Sequence, residues 1–282
     1  MSVPSSPSTS NLRTQGFGVT DRYDAWWAEQ VFTIVVMALF TVYALWRASE
    51  NGHFEVGPYF SPFYSPNLKA MFPQAFEWVQ FSPAFLILWA PLGFRGTCYF
   101  YRRTYYRAVF NDPPACAVDK PKQGLLRPLA DYTGETVFPF VLQNFHRYFL
   151  YVALVLVGFH WYHAIESIQH NGQLGFGVGS LIIWLDTIFL SLYVFSCHSL
   201  RHLIGGKLNF FTNGLFNKFR FNLWKGQTIL NQEHWFYAWG SLFTVGLCDL
   251  YIRLVSAGVI KDWNTWGIDF ASMAHAAQQL PH

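Results

Sequence analysis

The sequence has little charge. Only 12% of its 282 residues are Asp, Glu, Lys or Arg, whereas a soluble domain carries about 25%. The net charge of +3 is too small to indicate a nucleic-acid partner. No apolar signal segment precedes the first long hydrophobic run, because residues 1–20 are rich in Ser, Thr, Pro and Gly. We expect these residues to form a disordered N-terminal tail.

Cysteine is also scarce, and its four positions do not suggest disulfides. The cysteines are Cys98, Cys116, Cys197 and Cys248, and none forms a CxxC pair. Free thiols or metal ligands are therefore expected rather than a disulfide framework. Cys197 and Cys248 are interpreted as small apolar residues that fill space between helices.

Hydrophobic residues are abundant, at 52% of the chain, with 20% aromatic residues. Five stretches are long enough to cross a bilayer core of about 30 Å, at about 25–48, 77–110, 138–167, 177–204 and 232–257. Pro83 and Pro91 predict a kink in the second. The predicted fold class is an all-α integral membrane protein, a bundle of five transmembrane helices over residues 21–257. A polar C-terminal tail at 258–282 follows, and the loop at 49–74 is predicted to cap one end.

The basic residues orient this bundle. With five spans, only Arg47, Lys69, Arg253 and Lys261 lie on the side opposite the N-terminus, and the other 15 Lys and Arg residues lie on the N-terminal side. The positive-inside rule then places the N-terminus in the cytoplasm. The polar, proline-broken loop at 111–137 lies on that side and is a candidate docking site for a soluble partner.

Histidine and cysteine side chains gather on the cytoplasmic side of the predicted bundle. Ionisable groups within a membrane are costly and mark functional sites. The group comprises Cys98, Cys116, His146, Cys197, His198, His202 and His234. The alternative to a functional site is that these histidines lie at the membrane interface and are hydrogen-bonded to lipid headgroups.

Two cofactors compete for this group. Haem b needs two opposed histidines, for example His146 or His234 facing His202. A Rieske-type [2Fe–2S] cluster needs two cysteines on one iron and two histidines on the other. Composition does not choose between them. A second haem near His160 and His163 on the outer side stays open.

Two segments resemble the cytochrome b subunits of succinate dehydrogenase. LQNFHRYFLYVALVLVGFHWYHAI resembles their first helix, and SCHSLRHLIGG resembles their second. The resemblance implies a haem ligand at His202 and a quinone pocket at His146 and Arg147. Tyr148 is a further candidate for quinone contact.

The segments GTCYFYRRTYYRAVF, PPACAV, YTGET, QNFHRY and SCHSLRH are closer to one subclass, the single-chain, five-helix anchors of actinobacterial-type complex II. This resemblance covers roughly residues 20–257. It implies a Rieske-type [2Fe–2S] cluster in place of haem, with Cys98 and Cys116 as ligands together with two of His202, His198 and His234. Cytoplasmic cysteines seldom form disulfides, and histidine ligation raises the potential of a cluster.

The resemblance implies a membrane anchor of succinate:quinone oxidoreductase in the bacterial plasma membrane. It would hold a flavoprotein subunit and an iron–sulfur subunit at the cytoplasmic face and pass their electrons to a quinone. The basic residues from Arg95 to Arg107 would form the docking surface, and complexes of this family are often trimeric. The alternatives are the same complex with b haem, an ion transporter that uses Asp186 and Asp249, and an anchor without a cofactor.

Overall fold

A computed structural model describes residues 16–76, 81–111, 113–120, 135–136, 138, 140–270 and 272. The helices are α1 (Ala28–Glu50), α2 (Leu68–Met71), α3 (Pro73–Phe76), α4 (Ala84–Gly96), α5 (Tyr99–Ala108), α6 (His146–Glu166), α7 (Val178–Phe195), α8 (His198–Gly205), α9 (Leu215–Gln232) and α10 (His234–Ser256). Short 3-10 turns occupy Pro62–Tyr64 and Phe140–Phe145. Two antiparallel hairpins pair β1 (Glu55–Val56) with β2 (Tyr59–Phe60) and β3 (Gln169–His170) with β4 (Gln173–Leu174).

Among the residues that the structure describes, four apolar helices are long enough to cross a membrane. They are α1, α7, α10, and α6 extended back to Val141. α4 is apolar but has only 13 residues, which reach about 20 Å at 1.5 Å per residue. The chain then continues from α4 into α5. The prediction of an all-α, multi-pass membrane bundle is confirmed.

Two of the predicted spans are interrupted, and each interruption ends at a cysteine. The second span breaks between α4 and α5, and the fourth between α7 and α8. Cys98 and Cys197 have nearly the same extended backbone, with φ and ψ of −65° and 135° and of −62° and 135°, and each is the N-cap residue of the helix that follows. Pro91 lies within α4 and Pro83 precedes it, so neither proline is at the break.

The two breaks lie at the same end of the bundle, which we call the cysteine end. Its buried core includes Phe94 of α4, Leu150 of α6, Tyr193 of α7 and Ala238 of α10. Helices α4 and α6 approach closely at Gly93, where an added Cβ would overlap the ring of Phe149. α9 also lies at this end and was not predicted as a helix. Its sequence is polar enough to resemble a loop.

The opposite end of the bundle is capped by two segments. The predicted cap at 49–74 is confirmed, since Tyr59, Phe63 and Tyr64 are buried there. The described part of the predicted polar tail at 258–282 packs onto the bundle. Phe270 is 1% exposed, and Asp262 Oδ2 accepts a hydrogen bond of 2.8 Å from the Tyr59 hydroxyl.

Residues 16–20 of the predicted N-terminal tail are hydrogen-bonded to a later segment of the chain. Residues 1–15 of the predicted tail lie outside the described residues. Beyond them, Gly18 N–H donates to Asp119 O at 3.1 Å, and Asp119 N–H donates to Val19 O at 3.0 Å. The part of the predicted cytoplasmic loop around Asp119 is therefore held against the chain that leads into α1.

Candidate metal centre

Two cysteines and two histidines meet at the cysteine end. The helix breaks bring Cys98 and Cys197 inward, while α6 and α10 begin at His146 and His234. The Cys98 Sγ atom lies 3.3 Å from Nε2 of His234, and Cys197 Sγ lies 3.1 Å from Nε2 of His146. Both cysteines are almost completely buried, at 2% and 1% exposure. Four soft or borderline metal donors from four separate helices thus form two contacting pairs.

Each histidine also contacts a hydroxyl group through its second ring nitrogen. Nδ1 of His146 lies 2.9 Å from Oγ1 of Thr97, and Nδ1 of His234 lies 2.6 Å from Oγ of Ser196. Thr97 directly precedes one cysteine, and Ser196 directly precedes the other. Each imidazole therefore joins the hydroxyl of one helix break to the thiol of the other break.

Aromatic rings cover both imidazoles. Phe94 stacks on His146 with a centroid distance of 4.8 Å and an interplanar angle of 9°. Tyr193 stacks on His234 at 5.1 Å and 21°. Stacked rings limit rotation of the imidazoles and exclude water from this face of the site. Such packing holds potential ligand atoms in defined orientations.

Arg95 turns inward beside this group and does not belong to an exposed docking surface. Its Nη1 donates to the Tyr101 hydroxyl at 2.7 Å and to Ala238 O at 3.1 Å, and its Nη2 donates to Ser241 Oγ at 2.9 Å. Its guanidinium also lies over the Tyr193 ring, 4.7 Å from the centroid. These partners satisfy a charge that would otherwise be costly between helices.

Three of the predicted ligands are exposed and contact other groups. Cys116 is exposed, and its Sγ lies 3.7 Å from Nη2 of Arg107. His198 and His202 are exposed on α8, where their Nε2 atoms lie 3.1 Å apart and contact each other. Of the predicted metal ligands, the structure brings together Cys98 and His234.

Two members of the group were given other roles in the sequence analysis. Cys197 was interpreted as an apolar filler and His146 as a quinone contact. The sequence does contain a signal for Cys197, since a hydroxyl residue precedes both Cys98 and Cys197 at the end of an apolar helix. Arg147 and Tyr148, also predicted quinone contacts, are exposed on the first turn of α6.

The four donors form two separate thiol–imidazole pairs. Among the residues that the structure describes, no three His, Cys, Asp or Glu side chains are arranged to hold one metal ion. Two thiols and two imidazoles are nevertheless the donor set of a Rieske-type [2Fe–2S] cluster. Backbone amides of Phe100 and Tyr101 interact with the Cys98 thiol, and those of Ser199 and Leu200 with the Cys197 thiol. Such amides stabilise negative charge at helix N-termini.

Comparison with known proteins identifies the family. The family model for "Actinobacterial succinate dehydrogenase subunit SdhC" matches residues 28–258. The chain belongs to this family. It is similar to a chain of the "Mycobacterium smegmatis Sdh1 complex in the apo form", with 39% identity, a TM-score of 0.75, and coverage of 90% of this chain and 96% of that one. Among curated proteins, no sequence matches. The chain is thus a membrane subunit of succinate dehydrogenase.

In this SdhC-family chain, the acids within the spans have local partners: Asp186 lies near the middle of α7, and Asp249 lies in the half of α10 away from the cysteine end. Asp249 Oδ2 accepts hydrogen bonds from the Tyr43 hydroxyl at 2.6 Å and from Arg253 Nε at 2.8 Å. Asp186 Oδ1 accepts one from Thr244 Oγ1 at 2.8 Å. These contacts give both acids a structural role in joining helices.

The outer histidines of the SdhC-family chain are likewise engaged by protein groups. His163 is 7% exposed, and its Nδ1 lies 3.0 Å from a Glu166 carboxylate oxygen. The ring of His163 stacks on Phe60 at 4.7 Å. His53 Nδ1 lies 3.3 Å from Ser256 Oγ. These contacts tie the cap to α6 and α10.

Proposed function

We propose that this membrane subunit carries electrons from a soluble iron–sulfur subunit to a membrane quinone through a Rieske-type [2Fe–2S] cluster. The observation that carries this proposal is the convergence of Cys98, Cys197, His146 and His234. In such a cluster, two thiolates bind one iron and two imidazoles bind the other. We assign the two cysteines and the two histidines to these positions. When bound, the cluster accepts and releases one electron at a time.

This ligand set revises the one expected from the sequence. Cys98 and His234 are retained. Cys197 replaces Cys116 because it is buried and in contact with an imidazole, whereas Cys116 is exposed. His146 replaces His198 and His202, which are exposed and contact each other.

The same geometry favours the cluster over haem b. A haem held by two histidines needs one imidazole nitrogen on each face of a flat macrocycle. Here the Nε2 atoms of His146 and His234 each face a thiol, and Phe94 and Tyr193 lie flat against the imidazole rings. Two thiols at the site have no role in haem ligation of that kind, whereas a Rieske-type cluster requires both.

We place the quinone beside the first turn of α6. Arg147 and Tyr148 are exposed, so a quinone in the bilayer has access to them. They directly follow His146, which is one of the proposed cluster ligands. In this proposal the Arg147 guanidinium and the Tyr148 hydroxyl donate hydrogen bonds to the quinone oxygens. These bonds strengthen as the oxygens gain negative charge on reduction.

The cysteine end would face the cytoplasm and the flavoprotein and iron–sulfur subunits. Arg103 is exposed on α5, and Arg102 forms an ion pair with Glu135. These residues, without the inward-turned Arg95, remain candidates for the docking surface. The proposed location is the bacterial plasma membrane, and a trimer of the complex is the proposed assembly.

Spectroscopy and metal analysis of the purified complex test this function. The partner subunit holds clusters of its own in this proposal, so the informative quantity is the difference between the wild type and Cys98→Ser. We expect the variant to lose two iron and two acid-labile sulfide per chain, together with one electron paramagnetic resonance (EPR) signal. The sharp reduced bands of b haem in the wild type, or unchanged quinone reduction in the variant, would contradict the proposal.

A further inference from the structure

The hydroxyl groups of Thr97 and Ser196 are already committed as donors. Thr97 Oγ1 donates to Gly93 O at 2.6 Å, and Ser196 Oγ donates to Tyr193 O at 3.1 Å. Both bonds run back to a carbonyl of the helix that has just ended. A hydroxyl group has one proton to donate. With that proton used, each hydroxyl oxygen can only accept a hydrogen bond from its histidine.

The histidine tautomers follow from this direction. Nδ1 of His146 lies 2.9 Å from the Thr97 oxygen, and Nδ1 of His234 lies 2.6 Å from the Ser196 oxygen. Each Nδ1 must therefore carry the proton in order to donate. A neutral imidazole has one N–H group, so its other nitrogen, Nε2, carries the lone pair. In both histidines, Nε2 is the nitrogen that faces a cysteine thiol.

We propose that Thr97 and Ser196 are positioning residues that hold His146 and His234 in the Nδ1–H tautomer, so that Nε2 is the atom that binds iron. This inference rests on the proposed cluster and specifies how its histidine side is prepared. Ligating histidines commonly donate their second N–H to a fixed acceptor, which sets the tautomer and orients the ring. The opposite tautomer would require each hydroxyl to give up its bond to the helix carbonyl.

The two helix breaks place this acceptor next to a thiol. Thr97 is the C-cap residue of α4, and Ser196 is the C-cap residue of α7. Back-bonding of a hydroxyl to the carbonyl three or four residues earlier is common at such positions. The next residue turns to an extended backbone and directs its sulfur into the site. Each break therefore supplies an acceptor for one histidine and a thiol that faces the other.

Nitrogen-15 spectroscopy tests the tautomer independently of activity. In the complex depleted of cluster, magic-angle-spinning NMR of labelled histidine reads which ring nitrogen is protonated, and His146→Gln and His234→Gln assign the signals. In the intact complex, electron–nuclear double resonance reads which labelled nitrogen couples to the reduced cluster. We expect protonated Nδ1 in the first measurement and strong coupling to Nε2 in the second. A strong coupling to Nδ1 would overturn the proposal.

Substitution at the two hydroxyls gives a second test. Thr97→Val and Ser196→Ala remove the acceptors, and we expect the cluster to be lost to a chelator about 10- to 100-fold faster, the usual size of such effects on metal affinity. Thr97→Ser and Ser196→Thr should keep the wild-type half-life of the cluster in the presence of the chelator, because they retain the hydroxyl oxygen that accepts the histidine hydrogen bond.

Two matched controls separate this role from helix capping. Thr104 back-bonds to Phe100 O at 2.9 Å, and Ser167 is a buried C-cap serine that back-bonds to Ala164 O at 2.7 Å. Among the described residues, neither hydroxyl is hydrogen-bonded to a histidine, so Thr104→Val and Ser167→Ala should retain the cluster like the wild type. Equal loss in the controls and in Thr97→Val would overturn the positioning role. A wild type without this cluster would contradict the proposed function, while the NMR measurement would still decide the tautomer.

Discussion

The Nε2 atom of His234 lies 3.3 Å from the Sγ atom of Cys98, although 136 residues separate them in the chain. The pair is matched by His146 and Cys197, at 3.1 Å across 51 residues. Both contacts join the first residue of a helix to an N-cap cysteine. Two helix starts and two helix breaks therefore form one site.

Cys197→Ser and Cys116→Ser distinguish the structural ligand set from the one expected from the sequence. A serine hydroxyl seldom replaces a thiolate as a ligand for iron–sulfur clusters, so we expect Cys197→Ser to abolish one EPR signal and quinone reduction. Cys116→Ser should leave both unchanged, because Cys116 is exposed. Loss of the signal in Cys116→Ser alone would restore the original assignment.

Tyr148→Phe tests the quinone contact on the first turn of α6. Loss of one hydrogen bond of ordinary strength, about 1 kcal/mol, should raise the KM for quinone by roughly fivefold. Tyr151, also exposed and about one turn further along α6, provides the control variant Tyr151→Phe, for which we expect no change. Steady-state kinetics with a short-chain quinone measures both variants. Equal effects in the two would argue for a general effect on the helix surface.

Arg147→Gln tests the charged contact separately. A charge-assisted hydrogen bond is worth about 1.5–3 kcal/mol, so the loss in kcat/KM for quinone should be roughly 10- to 100-fold. The EPR signal of the cluster should persist, because Arg147 is not among the proposed ligands. A variant that lost the signal together with activity would show that Arg147 supports the cluster instead.

Asp249 and Arg253 form a buried ion pair near the opposite end of the bundle. They are 0% and 3% exposed, and Asp249 Oδ2 accepts from Arg253 Nε at 2.8 Å. Asp249→Asn would remove the carboxylate at Arg253 Nε and leave Glu50, whose Oε2 lies 3.0 Å from Arg253 Nη1, as the remaining counter-ion. The cost should therefore lie below the about 3–5 kcal/mol that is typical when a buried charge loses its partner. We expect a clear fall in the thermal denaturation midpoint of the complex.

A solvent-exposed pair provides the comparison for Asp249→Asn. Lys261 Nζ lies 3.7 Å from Asp269 Oδ2, and the two side chains are 65% and 40% exposed. Exposed pairs contribute about 0–1 kcal/mol, so Lys261→Met should hardly change the midpoint. Similar shifts in the two variants would contradict the importance assigned to burial.

Gly93→Ala and Gly96→Ala test the close packing of α4 on α6. A Cβ at residue 93 would overlap the Phe149 ring, whereas one at residue 96 would meet no atom within 4 Å. Overpacking costs about 1–3 kcal/mol, so Gly93→Ala should lower the denaturation midpoint. Gly96→Ala should leave it unchanged or raise it, because alanine favours a helix by up to about 1 kcal/mol. Equal tolerance of the two variants would show that α4 can move away from α6.

Prediction from the sequence succeeded where the signal is local. A continuous apolar run is sufficient to identify α1, α6, α7 and α10, because lipid demands about 20 apolar residues in sequence. The breaks at Cys98 and Cys197 were missed because no proline stands at either position. α9 was missed because polar and apolar residues alternate irregularly along it, so that it contains no long apolar run.

The composition of the site also depends on contacts that are not local in the sequence. The sequence indicated that Cys98 and His234 belong to one group, because both lie at the same predicted membrane depth. The same criterion of membrane depth also included Cys116, His198 and His202 in the predicted group. Depth does not show which way each side chain points. Cys197 and His198 are neighbours in the chain, yet Cys197 is buried at the site and His198 is exposed on α8.

The sequence alone determined that the chain crosses a membrane, which end gathers the histidines and cysteines, and which family it resembles. These properties depend on composition and on the order of residues along the chain. Only the tertiary structure decided that Cys197 and His146 join Cys98 and His234, and that Arg95 turns inward. That choice depends on the backbone turn at two helix breaks and on how four helices pack, because contacts across 51 and 136 residues leave no local pattern in the sequence.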